Sequence, residues 1–216
     1  MNTQFILIHG LCGLPITLIP MKWALQDRGY KNVHIVNYAS MSMSLEKAGD
    51  LVHKQILKVI KNDRNVPVIL IGHSFGGIIS YHLTKTTQLN ISLMILVACP
   101  IRSCKYLEDI TSYLPYSISN FILNKIPAFR KLLDKEIIDI KVPYYTVTTN
   151  IFYSDNFDGK IYTEDAVLNK EKNYKIENSS HNFMLIDKIC LQKICEIIDN
   201  YNLKIVYIDD YVIVNS

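Results

Sequence analysis

The sequence lacks most of what marks a membrane, secreted or nucleic-acid-binding protein. No apolar run approaches the roughly 20 residues that a bilayer-spanning helix needs. The start, MNTQFILIHG, has no basic residue ahead of its apolar stretch and no small-residue cleavage site, so it does not read as a signal peptide. Formal net charge is only +3 over 216 residues. No basic cluster with interleaved aromatics occurs, which sets nucleic acid aside as a partner. Cysteine is scarce and odd in number: Cys12, Cys99, Cys104, Cys190 and Cys195. Their spacing suits neither a disulfide framework nor a zinc module, so reduced thiols and a cytoplasmic location are expected. No internal repeat or low-complexity linker divides the chain.

What is present is globular. Hydrophobic residues make up 49% and charged residues 20% of the chain, enough for one well-filled domain. Short apolar runs alternate with helical patterns. Strands are expected at Phe5–Ile8, Asn32–Tyr38, Val66–Ile71, Ile91–Ala98, Tyr144–Thr148 and Tyr174–Glu177. Helices are expected at Thr17–Arg28, from Ser44 onward, at Phe75–Thr86, Thr163–Leu168 and Asn182–Asn200. Ser44 opens the second helix with Lys47 where a capping box prefers Glu. Near-continuous apolar strands alternating with helices predict a parallel sheet covered on both faces. The fold class is therefore α/β, a three-layer α/β/α sandwich with a mostly parallel sheet of about six strands. One domain spans residues 1–201, with an apolar, proline-broken insertion at 100–141. Residues 202–216 contain LKIVYI and YVIV around Asp209 and Asp210, and read as a C-terminal β-hairpin.

The segment VPVILIGHSFGGII carries the chemistry. It fits G-x-S-x-G, with Gly72, Ser74 and Gly76 in the fixed places. A nucleophilic serine must stand clear of the sheet on a sharp strand-to-helix turn, in a strained backbone conformation. Side chains two residues to either side would collide there, which is why glycine occupies both places. Three fixed positions alone also occur in ordinary glycine-rich turns; the strand before and the helix after are the context the motif requires. The following helix aims its free N–H groups at the site, so the N–H of Phe75 can bind an oxyanion.

Serine needs a base. Among six histidines, His9 and His73 lie beside motifs at strand ends and are expected to pack. His34 lies in a strand, His53 and His82 on helices. His181 differs: SSHNFML is a polar loop after a strand, on the sheet edge where Ser74 emerges. The base in turn needs a carboxylate to hold its tautomer. The loop NIFYSDNFDGKIYTEDAV offers Asp155 and Asp158. Asp158, ahead of Gly159 and Ile161, is favoured; Asp155 remains the alternative. Glu164 and Asp165 read as first-turn helix charges. A second oxyanion donor is expected from HGLCG after the first strand, where Gly10 lets the chain turn and the N–H of Leu11 points inward. Cys12 reads as a small loop residue.

With these motifs in order, the chain resembles the α/β-hydrolase superfamily, most closely small lipase- and esterase-like members with little or no cap. HGLCGLP resembles the oxyanion loop, IGHSFGGII the elbow, SDNFDGKIYTEDA the acid loop and SSHNFML the histidine loop. The family's first two antiparallel strands are absent, and ACPIRS lacks a glycine common at that place. The resemblance implies a serine ester hydrolase working through Ser74, His181 and Asp158, with no metal or organic cofactor. A small-molecule or lipid ester is the expected partner, with peripheral membrane contact left open and the oligomeric state unread. An acyltransferase, thioesterase or amidase would use the same triad, and a binding module could keep the fold without the chemistry. The 100–141 insertion reads as an acyl-pocket wall or lid, or as a helical pair that completes the core.

Overall fold

The computed structural model of the chain describes residues 2–105, 109, 112–115 and 139–213. Strands β1 (Gln4–Ile8), β2 (Val33–Ile35), β3 (Val68–His73), β4 (Ile91–Val97), β5 (Tyr144–Thr149) and β6 (Asn173–Ile176) form one sheet. Their order is β2-β1-β3-β4-β5-β6, and every neighbouring pair is parallel. The helices are α1 (Ile19–Asp27), entered through a 3-10 turn at Pro15–Leu18, α2 (Leu45–Val59), α3 (Phe75–Thr86), the short α4 (Thr163–Ala166) and α5 (Lys188–Ile213).

Side-chain alternation along each strand sorts the core into two layers. Ile6 and Ile8 of β1 and Leu70 of β3 pack with Ala48, Val52 and Ile56 of α2 and Ile79 of α3. Phe5 and Leu7 of β1 and Ile69 and Ile71 of β3 pack with Met21 and Leu25 of α1 and Ile194 and Ile198 of α5. Both faces are thus dry, as the unbroken apolar strands require. Ile194 and Ile198 are fully buried, and truncating either to alanine should cost about 2–5 kcal/mol. Ser44 caps α2 by accepting from the Lys47 N–H at 3.4 Å.

The sheet order reverses direction between β1 and β3: the chain leaves β1 toward β2 on one side and returns to β3 on the other. At such a switch point the loops beyond the strand carboxyl ends part and open a crevice. The loop after β1 and the turn after β3 flank it.

Three expectations need correction. The C-terminal hairpin is not formed, because residues 202–213 continue α5. No glycine or proline follows Lys188 to stop that helix, and Asp209-Asp210 is not a hairpin turn pair. β2 is three residues rather than seven, since only Val33–Ile35 reach a partner strand. The last helix starts at Lys188, after a separate 3-10 turn at Phe183–Leu185. Most of the 100–141 insertion lies outside the described residues.

Candidate active site

Ser74 sits between β3 and α3 with φ 53° and ψ −122°. Non-glycine residues rarely adopt this backbone region, and holding one there costs on the order of 1–3 kcal/mol. The surroundings enforce it. The Ser74 N–H donates to the Val97 carbonyl of β4 at 2.8 Å, and the Gly77 N–H donates to the Ser74 carbonyl at 2.9 Å. A methyl group on Gly76 would lie 2.2 Å from the Ile8 carbonyl oxygen, and one on Gly72 would lie 2.4 Å from the Gly76 oxygen. Both glycines are therefore required by close backbone approach, one between strand and helix, the other within the turn.

The loop after β1 closes on this turn. A methyl group on Gly10 would lie 2.9 Å from Ser74 Cβ, so the backbone leading into Leu11 abuts the serine. Phe75 is the first residue of α3, where an N–H has no intrahelical acceptor. Among the described residues, no other backbone carbonyl accepts from the Leu11 or Phe75 N–H.

The carboxylate and imidazole meet on the same edge. His181 donates from Nδ1 to Asp158 Oδ2 at 2.7 Å, with both side chains almost wholly buried. The other carboxylate oxygen, Oδ1, accepts from the backbone N–H groups of Lys160 at 2.8 Å and Ile161 at 2.7 Å. Gly159 closes that turn at φ +99°. The carboxylate is thus held by three donors, and the proton it draws to Nδ1 leaves Nε2 as the open lone pair of the neutral ring. The His181 backbone N–H also donates to the Asp158 carbonyl at 2.8 Å. Asp155 is exposed in the same loop.

Several residues that shape this edge carried no signal in the sequence. Thr149 Oγ1, at the end of β5, donates to the Ser179 carbonyl at 2.5 Å and accepts from the Ser179 N–H at 3.2 Å, pinning the histidine loop. Asn150 Oδ1 accepts from the Asn178 N–H at 3.1 Å. Asp165 is buried rather than a plain first-turn helix charge. It accepts from the Ser103 hydroxyl and, at 2.9 Å, from the Lys105 N–H. It thereby ties the segment after β4 to the acid loop, and desolvation raises its pKa. His9 does more than pack: Nδ1 donates to the Gly10 carbonyl at 3.0 Å, and the ring stacks on Tyr38.

As a sequence, the chain matches no protein-family model and no curated protein. Solved structures do match. The mature lipase BlEst2 of Bacillus licheniformis aligns over 90% of this chain and 91% of its own, with TM-score 0.66 and 17% identity. A lipase-esterase related protein from Clostridium acetobutylicum aligns over 93% and 94%, with TM-score 0.55 and 16% identity. The chain has the α/β-hydrolase fold. At these identities the likeness speaks for architecture alone.

The α/β-hydrolase edge that holds Ser74 is also apolar. Leu14 and Ile16 after β1, Phe152 and Tyr153 after β5, and Phe183 and Ile186 after β6 are all large exposed hydrophobic side chains. Among the described residues, no group of three His, Cys, Asp or Glu is placed to hold a metal, and no helix is long and apolar enough to cross a membrane.

Proposed function

We propose that this chain is a serine hydrolase of carboxylic esters. The observation that carries the reading is the buried Asp158–His181 pair, facing the same sheet edge as a serine held in a strained strand-to-helix turn. In the reaction, His181 Nε2 removes the Ser74 hydroxyl proton as Oγ attacks the ester carbonyl. Asp158 holds the ring in the required tautomer and stabilises the imidazolium. The N–H groups of Leu11 and Phe75 bind the tetrahedral oxyanion, each worth about 2.7–4 kcal/mol of barrier. His181 then protonates the leaving alcohol, and water, activated by the same ring, resolves the acyl-enzyme. No cofactor takes part in these steps.

Among the described residues no hydrogen bond joins Ser74 to His181; such bonds commonly tighten only when substrate is bound. The exposed apolar side chains beyond β1, β5 and β6 favour an apolar acyl group, or an ester presented at a lipid surface.

A panel of p-nitrophenyl esters of increasing chain length, run on wild type and Ser74→Ala together, tests the proposal. Wild type should hydrolyse the medium-chain esters, and the variant should not. Equal rates in both proteins would refute it, and a strict preference for acetyl would refute the apolar-acyl part. Competing alcohol and thiol acceptors in the same assay separate hydrolysis from acyl transfer.

A further inference from the structure

We infer that His73, the residue before the nucleophile, is a positioning residue that holds the His181 loop in place against the Ser74 turn. This inference rests on the reading of Ser74 and His181 given above. Asp158 makes two hydrogen bonds to His181, one to the ring and one to the backbone N–H. Both fix the base relative to the acid loop, and neither fixes it relative to the nucleophile. Thr149 and Asn150 tie the same loop to the end of β5. Among the described residues, a single hydrogen bond joins the nucleophile turn to the histidine loop. It runs from His73 Nε2 to the His181 carbonyl at 2.9 Å, across 108 residues of sequence.

The chemistry of that bond assigns the His73 proton. A carbonyl only accepts, so Nε2 must carry the hydrogen, and Nδ1 is the lone pair of a neutral ring. Nδ1 faces the loop after β1, where a methyl group on Gly10 would lie 3.1 Å from it. His73 therefore touches all three loops the reaction needs: its own turn, the Gly10 loop and the His181 loop. Burial, and next the nearby His181 ring, push the His73 pKa down to about 3. The ring stays neutral through the working range, and the two imidazoles, with centroids 4.8 Å apart, avoid like-charge repulsion when His181 takes up the serine proton.

The bond tolerates one replacement in particular. A glutamine amide nitrogen reaches about as far as Nε2 and can donate to the same carbonyl, whereas asparagine is too short and leucine has no donor. His73→Leu and His73→Asn should lose about 10²-fold in kcat, the scale of a misplacement near 1 Å, with KM little changed. His73→Gln should recover most of the loss. Imidazole NMR supplies a readout that does not need turnover. The His181 ring resonances should shift or broaden in His73→Leu and return toward wild type in His73→Gln. A His73→Leu protein with wild-type kcat and an unchanged His181 spectrum would overturn the inference, as would a glutamine variant no better than leucine. If the NMR pattern holds while wild type turns over no ester, the positioning role stands and the proposed activity falls.

Discussion

The two edges of the sheet are built from the same number of strand ends, yet they are made differently. On the carboxyl edge, positive φ falls on Cys12 after β1, Ser74 after β3, Ala98 after β4, Gly159 after β5 and Asn178 after β6. Three of these five are residue types that gain nothing locally from the left-handed region. Before β2 and β3, on the amino edge, it falls on Gly29, Lys61 and Asn62, which include the two residue types that adopt it most readily. The carboxyl edge also carries the exposed apolar side chains and the buried histidines His9, His73 and His181. Lys61 aside, the amino edge closes its connections with ordinary turn chemistry. The other stores strain and buried polar groups that tertiary packing must hold, as expected where strain serves a site.

Substitutions can break this contrast. The largest effect is expected on activity at the carboxyl edge. Ser74→Ala should lower ester turnover by at least about 10⁴-fold, and Asp158→Asn by about 10³–10⁴-fold through the wrong His181 tautomer. Asp155→Asn, exposed in the same loop, should change the rate by less than about twofold; steady-state kinetics on the three variants would show the ranking.

Folding gives the next largest difference. Gly76→Ala places a methyl group against the Ile8 carbonyl and should destabilise by more than about 3 kcal/mol, or prevent folding. Gly29→Ala meets nothing within 4 Å and carries only the cost of its φ of +99°, about 1–2 kcal/mol. Urea midpoints for both variants would separate steric overlap from backbone strain.

Acid should find the carboxyl edge first. His73 titrates near 3 in the folded chain against 6.5 unfolded, and burial also lowers His9. Below about pH 6.5 the unfolded state binds the His73 proton and the folded state does not, so this contribution is full above that pH and falls as pH drops toward 3; His9 acts in the same direction. The slope approaches about 1.4 kcal/mol per pH unit for His73. His73→Gln should therefore show a shallower loss of stability than wild type between pH 6 and 4 in urea titrations.

The smallest effect sharpens the contrast most. Ser74→Gly removes the Cβ from a strained position and should stabilise the fold by about 1 kcal/mol while abolishing activity. Asn62→Gly on the amino edge should change stability by only a few tenths of a kcal/mol, since asparagine already tolerates that conformation. Thermal midpoints of the two variants measure the difference.

How much of this was legible in the sequence follows the same division. The strand-turn-helix around Ser74 could be read because glycine spacing and apolar runs are local signals. The parallel order followed from strand–helix alternation. The C-terminal segment misled because LKIVYI and YVIV suit a strand by composition, while Leu203, Val206 and Tyr207 also fall at helical spacing. Short apolar runs do not decide between the two. The His73–His181 bond could not be read at all. Nothing about a histidine at position 73 says that its acceptor is a carbonyl 108 residues away. Asp165 resembled a dipole-compensating helix charge, and only tertiary packing turned it into a buried staple for Ser103 and Lys105.

In the proposed mechanism Ser74 is a nucleophile activated by His181 under the control of Asp158. The most direct measurement is labelling by a fluorophosphonate probe, read by intact mass and peptide mapping. A single adduct is expected on the peptide containing Ser74, absent in Ser74→Ala and formed far more slowly in Asp158→Asn. No adduct on the folded wild-type protein, or an adduct that persists in Ser74→Ala, would contradict it.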